Sequence, residues 1–346
     1  MSQQALSQRF LTFPAILFQR ILTEILPKLK ARWSARHNRT LPESVQFTLS
    51  KFDKIWIADG STLEALFRKL KSLEEVKPGS LAGKMGVVID LVTRLPVEIW
   101  WSEKPNASDT RFEENLLELV SAKTLLLLDR GFYHFQFWQR LIDRGIHFIT
   151  RIKINAAIEY QTVFTDGHAL RDRLVKIGSG TKKTPIVTLR LIEIRVGKVW
   201  RSYLTSVLDP EILPPYVVID LYQKRWRIED AFNTVKRLLG LSYLWTGSIN
   251  GIKLQIWATW LFYAVLVDLG DAVADEISLP LDRISLEMIY RGLYYFHGAS
   301  TRTDGENHLH CTLHPYGLDE PICLDKTLSN PSKKNNCQEN DVQFEP

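Results

Sequence analysis

Three short apolar runs follow one another along this chain, Lys54–Ala58, Met85–Val92 and Leu95–Trp101; the first is closed by Asp59-Gly60 and the last two are separated by Thr93-Arg94. Runs of this length bounded by turn residues are strands, and three in succession make a meander. The pattern then changes. Phe112, Leu116, Leu119 and Val120 mark a helix beginning at Ser108 or Asp109, Leu125–Leu128 is a continuous apolar strand of the kind buried on both faces, Phe135–Ile142 is a second helix, and His147–Ile152 a further strand. Strands first, then helix and strand in alternation, is the order of an α/β fold, a mixed sheet with helices on its faces.

Between Ala156 and Leu213 the period becomes two: Val187, Leu189 and Leu191, then Ile194 and Val196 after a one-residue slip, the turn Gly197-Lys198, and Val199–Val207. This predicts a β-hairpin with a bulge near Leu191-Ile192. Residues 155–213 are therefore read as a β-rich insertion, which divides an α/β domain into residues 51–154 and a helical second part, residues 214–298. Ahead of it, Phe10, Ile16, Ile21, Ile25 and Leu29 lie near helical spacing and run into the basic stretch Arg32 to Arg39, so residues 1–50 form a basic helical region. Residues 299–346 are polar and are expected to be disordered.

Composition narrows the function classes. The longest apolar stretch, Ile256–Val267, is interrupted by Thr259 and falls short of the ~20 residues that span a bilayer, so it reads as a buried helix and no membrane partner is expected. Met1–Phe18 lacks the basic start of a signal peptide, and Cys311, Cys323 and Cys337 are too far along the chain to staple its body; the cytoplasm is the expected compartment. His308, His310, Cys311, His314 and Cys323 match no standard zinc spacing. The net charge is +5, but residues 299–346 carry eight acids against four bases, which leaves +9 for residues 1–298. Positive charge is dense at Lys28, Lys30, Arg32, Arg36 and Arg39, at Arg68, Lys69 and Lys71, and from Lys224 to Arg237. Such clusters suit a polyanion such as DNA, although solvated helix faces have the same composition.

One helix is the most informative. Tyr222, Arg225, Glu229 and Lys236 fall at roughly 0°, 300°, 340° and 320° on a wheel of ~100° per residue, beside an apolar stripe of Leu221, Ile228, Ala231, Phe232, Val235 and Leu239. A carboxylate flanked by guanidinium, ammonium and phenol suits a metal at Glu229 with phosphate oxygens around it. An Arg225–Glu229 pair on a solvated edge is the alternative.

The run Tyr222-Gln-Lys-Arg225-Trp-Arg-Ile-Glu229, continued to Lys236, resembles the Y-x2-R-x3-E-x6-K signature of insertion-sequence family 4 transposases. The context is similar too: Ile57-Ala-Asp59-Gly-Ser resembles the family's first Asp after a strand, and Asp129-Arg-Gly131-Phe-Tyr133 its D-x-G-x-Y/F motif. The resemblance covers about residues 45 to 270.

The resemblance implies a ribonuclease-H-like mixed sheet flanked by helices, and a DDE transposase that cuts transposon ends and joins them to target DNA. Asp59, Asp129 and Glu229 would be the catalytic metal ligands for two Mg2+ ions, with Mn2+ an acceptable substitute. Tyr222, Arg225 and Lys236 would grip double-stranded DNA through its backbone, and a homodimer on DNA is expected because two ends are joined. Only 58 residues precede Asp59, fewer than in many members, so a short or truncated DNA-binding part is expected there. A DNA-binding remnant without mobility and a ribonuclease-H-like nuclease that does not join strands are the alternatives. Asp90 is read as structural, and Phe132–Trp138 as core packing in preference to base stacking.

Overall fold

The computed structural model describes residues 12–63, 83–104, 108–153, 156–242, 244 and 248–300. The basic cluster Arg68, Lys69 and Lys71, the polar tail and its His/Cys group fall outside them. The chain divides into two compact units, one of residues 1–32 and 41–265, the other of residues 33–40 and 266–346.

Helices α1 (Ile16–Ala35) and α2 (Glu43–Leu49) precede the meander of β1 (Lys54–Leu63), β2 (Gly83–Asp90) and β3 (Pro96–Ser102). Next come α3 (Glu113–Leu119), β4 (Thr124–Leu128), α4 (Phe135–Asp143) and β5 (His147–Arg151). A 3-10 turn, Asp109–Phe112, leads into α3, and the Ser108 side chain caps it by accepting from the Thr110 N–H. Four strands follow, β6 (Ile158–Asp166), β7 (Leu170–Ile177), β8 (Val187–Val196) and β9 (Val199–Thr205), and then α5 (Pro215–Gln223), α6 (Arg227–Asn233), α7 (Ile249–Glu276) and α8 (Leu286–Ser300).

Among the described residues all nine strands belong to one sheet, in the order β3-β2-β1-β4-β5-β9-β8-β7-β6. β1 runs antiparallel to β2 and parallel to β4, and β4 runs parallel to β5. This is the mixed α/β sheet of the ribonuclease-H-like class. The β-rich segment does not close on itself: β9 pairs antiparallel with β5, Ile149 opposite Thr205, and carries β8, β7 and β6 outward as a continuation of the same sheet.

The hairpin turns at Gly197-Lys198, with Val196 opposite Val199 and Gly197 at φ 61, a left-handed angle natural for glycine. The bulge expected near Leu191-Ile192 is absent: register is unbroken from Arg190 opposite Thr205 to Val196 opposite Val199. The apparent slip has a physical cause. β8 is covered on both faces, so Leu189 and Leu191 on one side and Arg190 and Ile192 on the other are all buried, and alternation disappears without any change of register.

One face of the sheet presents Trp56, Ala58, Leu126, Leu128 and Leu189 to Leu116 and Leu117 of α3 and to Phe137, Trp138 and Leu141 of α4. The aromatic stretch Phe132–Trp138 is thus mainly core, with Phe132, Phe137 and Trp138 buried. The opposite face carries Ile55, Ile57, Leu127 and Ile149 and is met by helical side chains: Tyr222 of α5 lies 5.3 Å from Tyr203 of β9, and the indole N–H of Trp260 in α7 lies 3.1 Å from the Met85 sulfur. α7 is 28 residues, longer than its apolar run suggested and, by length and composition alone, able to cross a bilayer. Its first half is instead committed to the core, with Trp260 and Tyr263 fully buried and the Tyr263 hydroxyl donating to the Arg94 carbonyl at 3.2 Å.

In the second unit, two guanidinium groups of the basic stretch are taken up internally. Arg36 lies 3.0 Å from Asp268 and 2.7 Å from Asp271, and Arg39 lies 2.8 Å from Asp271 and stacks on Trp33.

The most deeply buried ion pair of the first unit is Arg190 on β8 with Asp172 on β7, joined by two contacts of 2.7 and 2.6 Å, while Arg190 also donates to the Leu213 carbonyl just before α5. A buried guanidinium left without its carboxylate loses more than the pair contributes. Asp172→Ala is therefore expected to destabilise the protein by about 3–5 kcal/mol, measured as a lower denaturant midpoint; a midpoint within error of the parent would refute this.

Candidate active site

The parallel pairing of β1 with β4 places Ile57 beside Leu127 and Ala58 beside Leu128. Asp59, within β1, and Asp129, just past the end of β4, are the residues that follow, so both stand abreast where the parallel pairing ends. Successive side chains alternate across a sheet, and both carboxylates therefore share the face of Ile57 and Leu127, the face met by α5 and α7. Each is fixed locally: the Asp59 carboxylate accepts from the Gly60 N–H at 2.7 Å, and Asp129 caps the 3-10 turn Arg130–Phe132 by accepting from the Gly131 N–H at 3.4 Å.

The third carboxylate arrives on a helical stretch that is not uniform. α5 passes into a 3-10 turn, Lys224–Trp226, then α6, then a π-helical turn, Thr234–Leu238. Departures of this kind from the α repeat recur at functional sites. Arg225 lies in the 3-10 turn and is 5% exposed. Its guanidinium is 3.0 Å from Asp59 Oδ2, 3.0 Å from Glu229 Oε1 and 3.6 Å from Asp129 Oδ1. The three acids singled out from the sequence are thus gathered around one cation. Among the described residues, no three His, Cys, Asp or Glu side chains stand close enough as they are to hold one metal ion; the guanidinium lies among one oxygen from each acid.

Burial pushes the Asp59 carboxyl up to about 7; Arg225 opposes the shift, and the charges of Asp129 and Asp109 add to it. Burial likewise raises the Tyr222 phenol to about 12, and its hydroxyl donates to the Leu128 carbonyl at 3.4 Å, one residue before Asp129. Lys236 Nζ donates to the Thr62 carbonyl at 2.8 Å, near the end of β1. Tyr222, Arg225 and Lys236 all lie close to the carboxylates or their strands, and each is bonded to the protein itself.

Asp90 stands apart from this group, its Oδ1 accepting from the N–H groups of Val92 and Thr93 in the turn between β2 and β3. Two residues that no motif marks do belong to it. The Asp109 carboxylate is inserted between the strand ends and is paired with Lys84 of β2 at 2.6 Å. A Cβ added to Gly60 would stand 1.9 Å from Asp109 Oδ1, and one added to Gly131 2.0 Å from Oδ2. Both glycines are thus explained by close approach of a side chain, and Asp109 by a contact that local sequence cannot reveal. Gly131→Ala is expected to cost about 1–3 kcal/mol by overpacking, read from denaturant unfolding. Combining it with Asp109→Ala should cost less than the sum of the two single changes; strict additivity would contradict the contact.

Residues 51–265 match the family of the transposase DDE domain, a span that takes in Asp59, Asp129 and Glu229. The chain is also similar to the putative transposase y4zB of Sinorhizobium fredii, 26% identical over 178 residues, 49% of this chain and 47% of that protein. It is 30% identical over 166 residues to the transposase InsG for insertion sequence element IS4 of Escherichia coli, 45% of this chain and 37% of that protein. A probable transposase for insertion sequence element IS5377 of Geobacillus stearothermophilus is 23% identical over 177 residues, 49% of this chain and 45% of that protein. The aligned region thus spans about half, or less, of each relative's length. With the match to the domain model extending over more than half of its residues, the chain belongs to the transposase DDE domain family.

Proposed function

We propose that this chain catalyses DNA transposition, cutting double-stranded DNA at transposon ends and transferring the cut strands into target DNA. The observation that carries this reading is the convergence of Asp59, Asp129 and Glu229, from three separate elements, on a single cation. A set of carboxylate oxygens is the donor chemistry that hard divalent ions take, so these three residues would hold Mg2+, with Mn2+ as a substitute. Bound there, two such ions would stabilise the attacking and the leaving oxygen of an in-line phosphoryl displacement.

The remaining roles follow from the chain's own side chains. Asp59 is the most enclosed of the three acids, 13% exposed against 37% for Asp129 and 35% for Glu229, and is the one best shielded from competing water. Tyr222 holds the backbone immediately before Asp129, which supports a part in positioning that carboxylate. Arg225, in contact with all three acids, and Lys236, bonded to the Thr62 carbonyl, would exchange an internal oxygen for a phosphate, fixing the scissile bond without reading sequence. A homodimer on DNA, working in the bacterial cytoplasm, fits the joining of two ends.

The test searches the DNA flanking the coding sequence for short inverted repeats and uses them as intact duplex and as a precleaved end with plasmid target, in Mg2+. The parent protein should nick the first and join the second. Asp129→Ala should retain DNA binding in a gel-shift assay, since a strand-end carboxylate contributes little packing, and lose nicking by on the order of 10³-fold. Normal nicking by that variant removes Asp129 from the reaction, and cleavage without joining by the parent leaves a nuclease in place of a transposase. Lys236→Ala should weaken end binding and reduce its salt dependence by about one phosphate contact; an unchanged salt slope argues against that contact.

A further inference from the structure

We propose that Arg225 is the resident counter-cation of the carboxylate cluster, and that metal ions are admitted fully only when this guanidinium moves out to a DNA phosphate, so that metal and DNA binding are coupled through one side chain. The inference rests on the proposed function and adds to it an order of events.

The geometry points this way through competition for the same atoms. Arg225 reaches Asp59 Oδ2, Glu229 Oε1 and Asp129 Oδ1, one oxygen of each acid a divalent ion would use. A guanidinium and a metal ion cannot both be in contact with those oxygens without facing each other as like charges at close range. Charge balance leads to the same conclusion. Three carboxylates around one guanidinium sum to −2, and two divalent ions would carry the group to +2 with Arg225 still in place. Its departure to a phosphate lowers that excess and gives it a partner of matching fork geometry.

An exit is present as well. Arg225 lies between two rings, its guanidinium carbon 5.8 Å from the centroid of Tyr222 and 5.4 Å from that of Trp226. Tyr222 is buried, but Trp226 is 59% exposed. A guanidinium travelling outward across the face of Trp226 keeps cation–π attraction while it leaves the acids. The 3-10 turn that carries both residues is a three-residue break in the helical stretch, the kind of departure that marks a hinge.

Coupling of this kind is reciprocal: whatever factor DNA contributes to metal affinity, metal contributes to DNA affinity. The experiment titrates Mn2+ into the full-length protein, following free Mn2+ by electron paramagnetic resonance, with and without a duplex carrying the element's end. Arg225→Gln should bind Mn2+ at least ~10-fold more tightly than the parent without DNA, because no charge-assisted contacts need breaking. Arg225→Lys, which keeps the charge but not the fork, should fall between the two. With DNA present the gap between parent and Arg225→Gln should narrow.

Should Arg225→Gln prove too unstable without metal, a gain in its unfolding temperature on adding Mg2+, larger than the parent's, carries the same meaning. The inference is overturned if the parent binds Mn2+ without DNA as tightly as both variants, or if Arg225→Lys binds no more tightly than the parent. If no form binds Mn2+ with or without DNA, the metal-dependent reading of the site falls along with the coupling; if all bind alike, only the coupling falls.

Discussion

Acidic groups do not collect in a half-enclosed cleft unless something of opposite charge holds them, and in this protein that role falls to the guanidinium of Arg225. Asp59, Asp129 and Glu229 share it, while Asp109, inserted behind the strand ends, is answered by Lys84. The Asp59 carboxyl, the most enclosed of those on Arg225, has its pKa pushed upward first by burial, with the charges of Asp129 and Asp109 adding to the shift and Arg225 opposing it. Water reaches Asp129 and Glu229 but little of Asp59 or Arg225. Every other feature of the site can be read as a way of holding these charges at fixed separations.

The scaffold that does so is simple. The parallel pairing of β1 with β4 stops at Ala58 and Leu128, and the two acids are the residues that follow on each side, so strand pairing sets their spacing. Ligand sites in α/β sheets gather at that edge because side chains beyond the last pair are no longer committed to the core. The four added strands leave this edge undisturbed, since they attach beyond β5 and the β1–β4 pair remains interior to the sheet. The helical stretch then crosses the same face, and its 3-10 turn sets Arg225 among acids on β1, just past β4 and on α6 at once.

The strands of the meander, the alternating helices and the Gly197-Lys198 hairpin were legible in the sequence because apolar period and turn chemistry are local properties. Sheet continuity was not: nothing in Val187–Thr205 specifies that β9 will lie against β5 in place of closing a separate sheet. The false bulge has the related origin that periodicity reports burial, and β8 is buried on both sides. Glu229 was legible through its helix spacing only in company with Asp59 and Asp129, and their grouping came from the resemblance, since each alone reads as an ordinary turn residue. Arg225 lay on the expected helix face, but a wheel gives the direction from the axis and not what the side chain meets. Asp109 read as a helix start, and its turn does begin there; the contacts that matter reach Gly60 and Gly131, distant in sequence.

Backbone N–H groups of Gly60 and Gly131 fix Asp59 and Asp129 locally, and the arginine that the acids share is a partner of a different kind. Backbone donors are fixed, whereas a guanidinium on a long side chain can be exchanged for another cation without moving the strands that carry Asp59 and Asp129. The acids can therefore be preorganised by folding, and the positive charge among them remains replaceable. Tyr222 illustrates the division: its hydroxyl is spent on the Leu128 carbonyl, stabilising the strand end, and it contributes nothing that must move. Rigid carboxylates and a removable counter-ion together make the geometry of the cluster a property of the fold, and its charge a property of what it has bound.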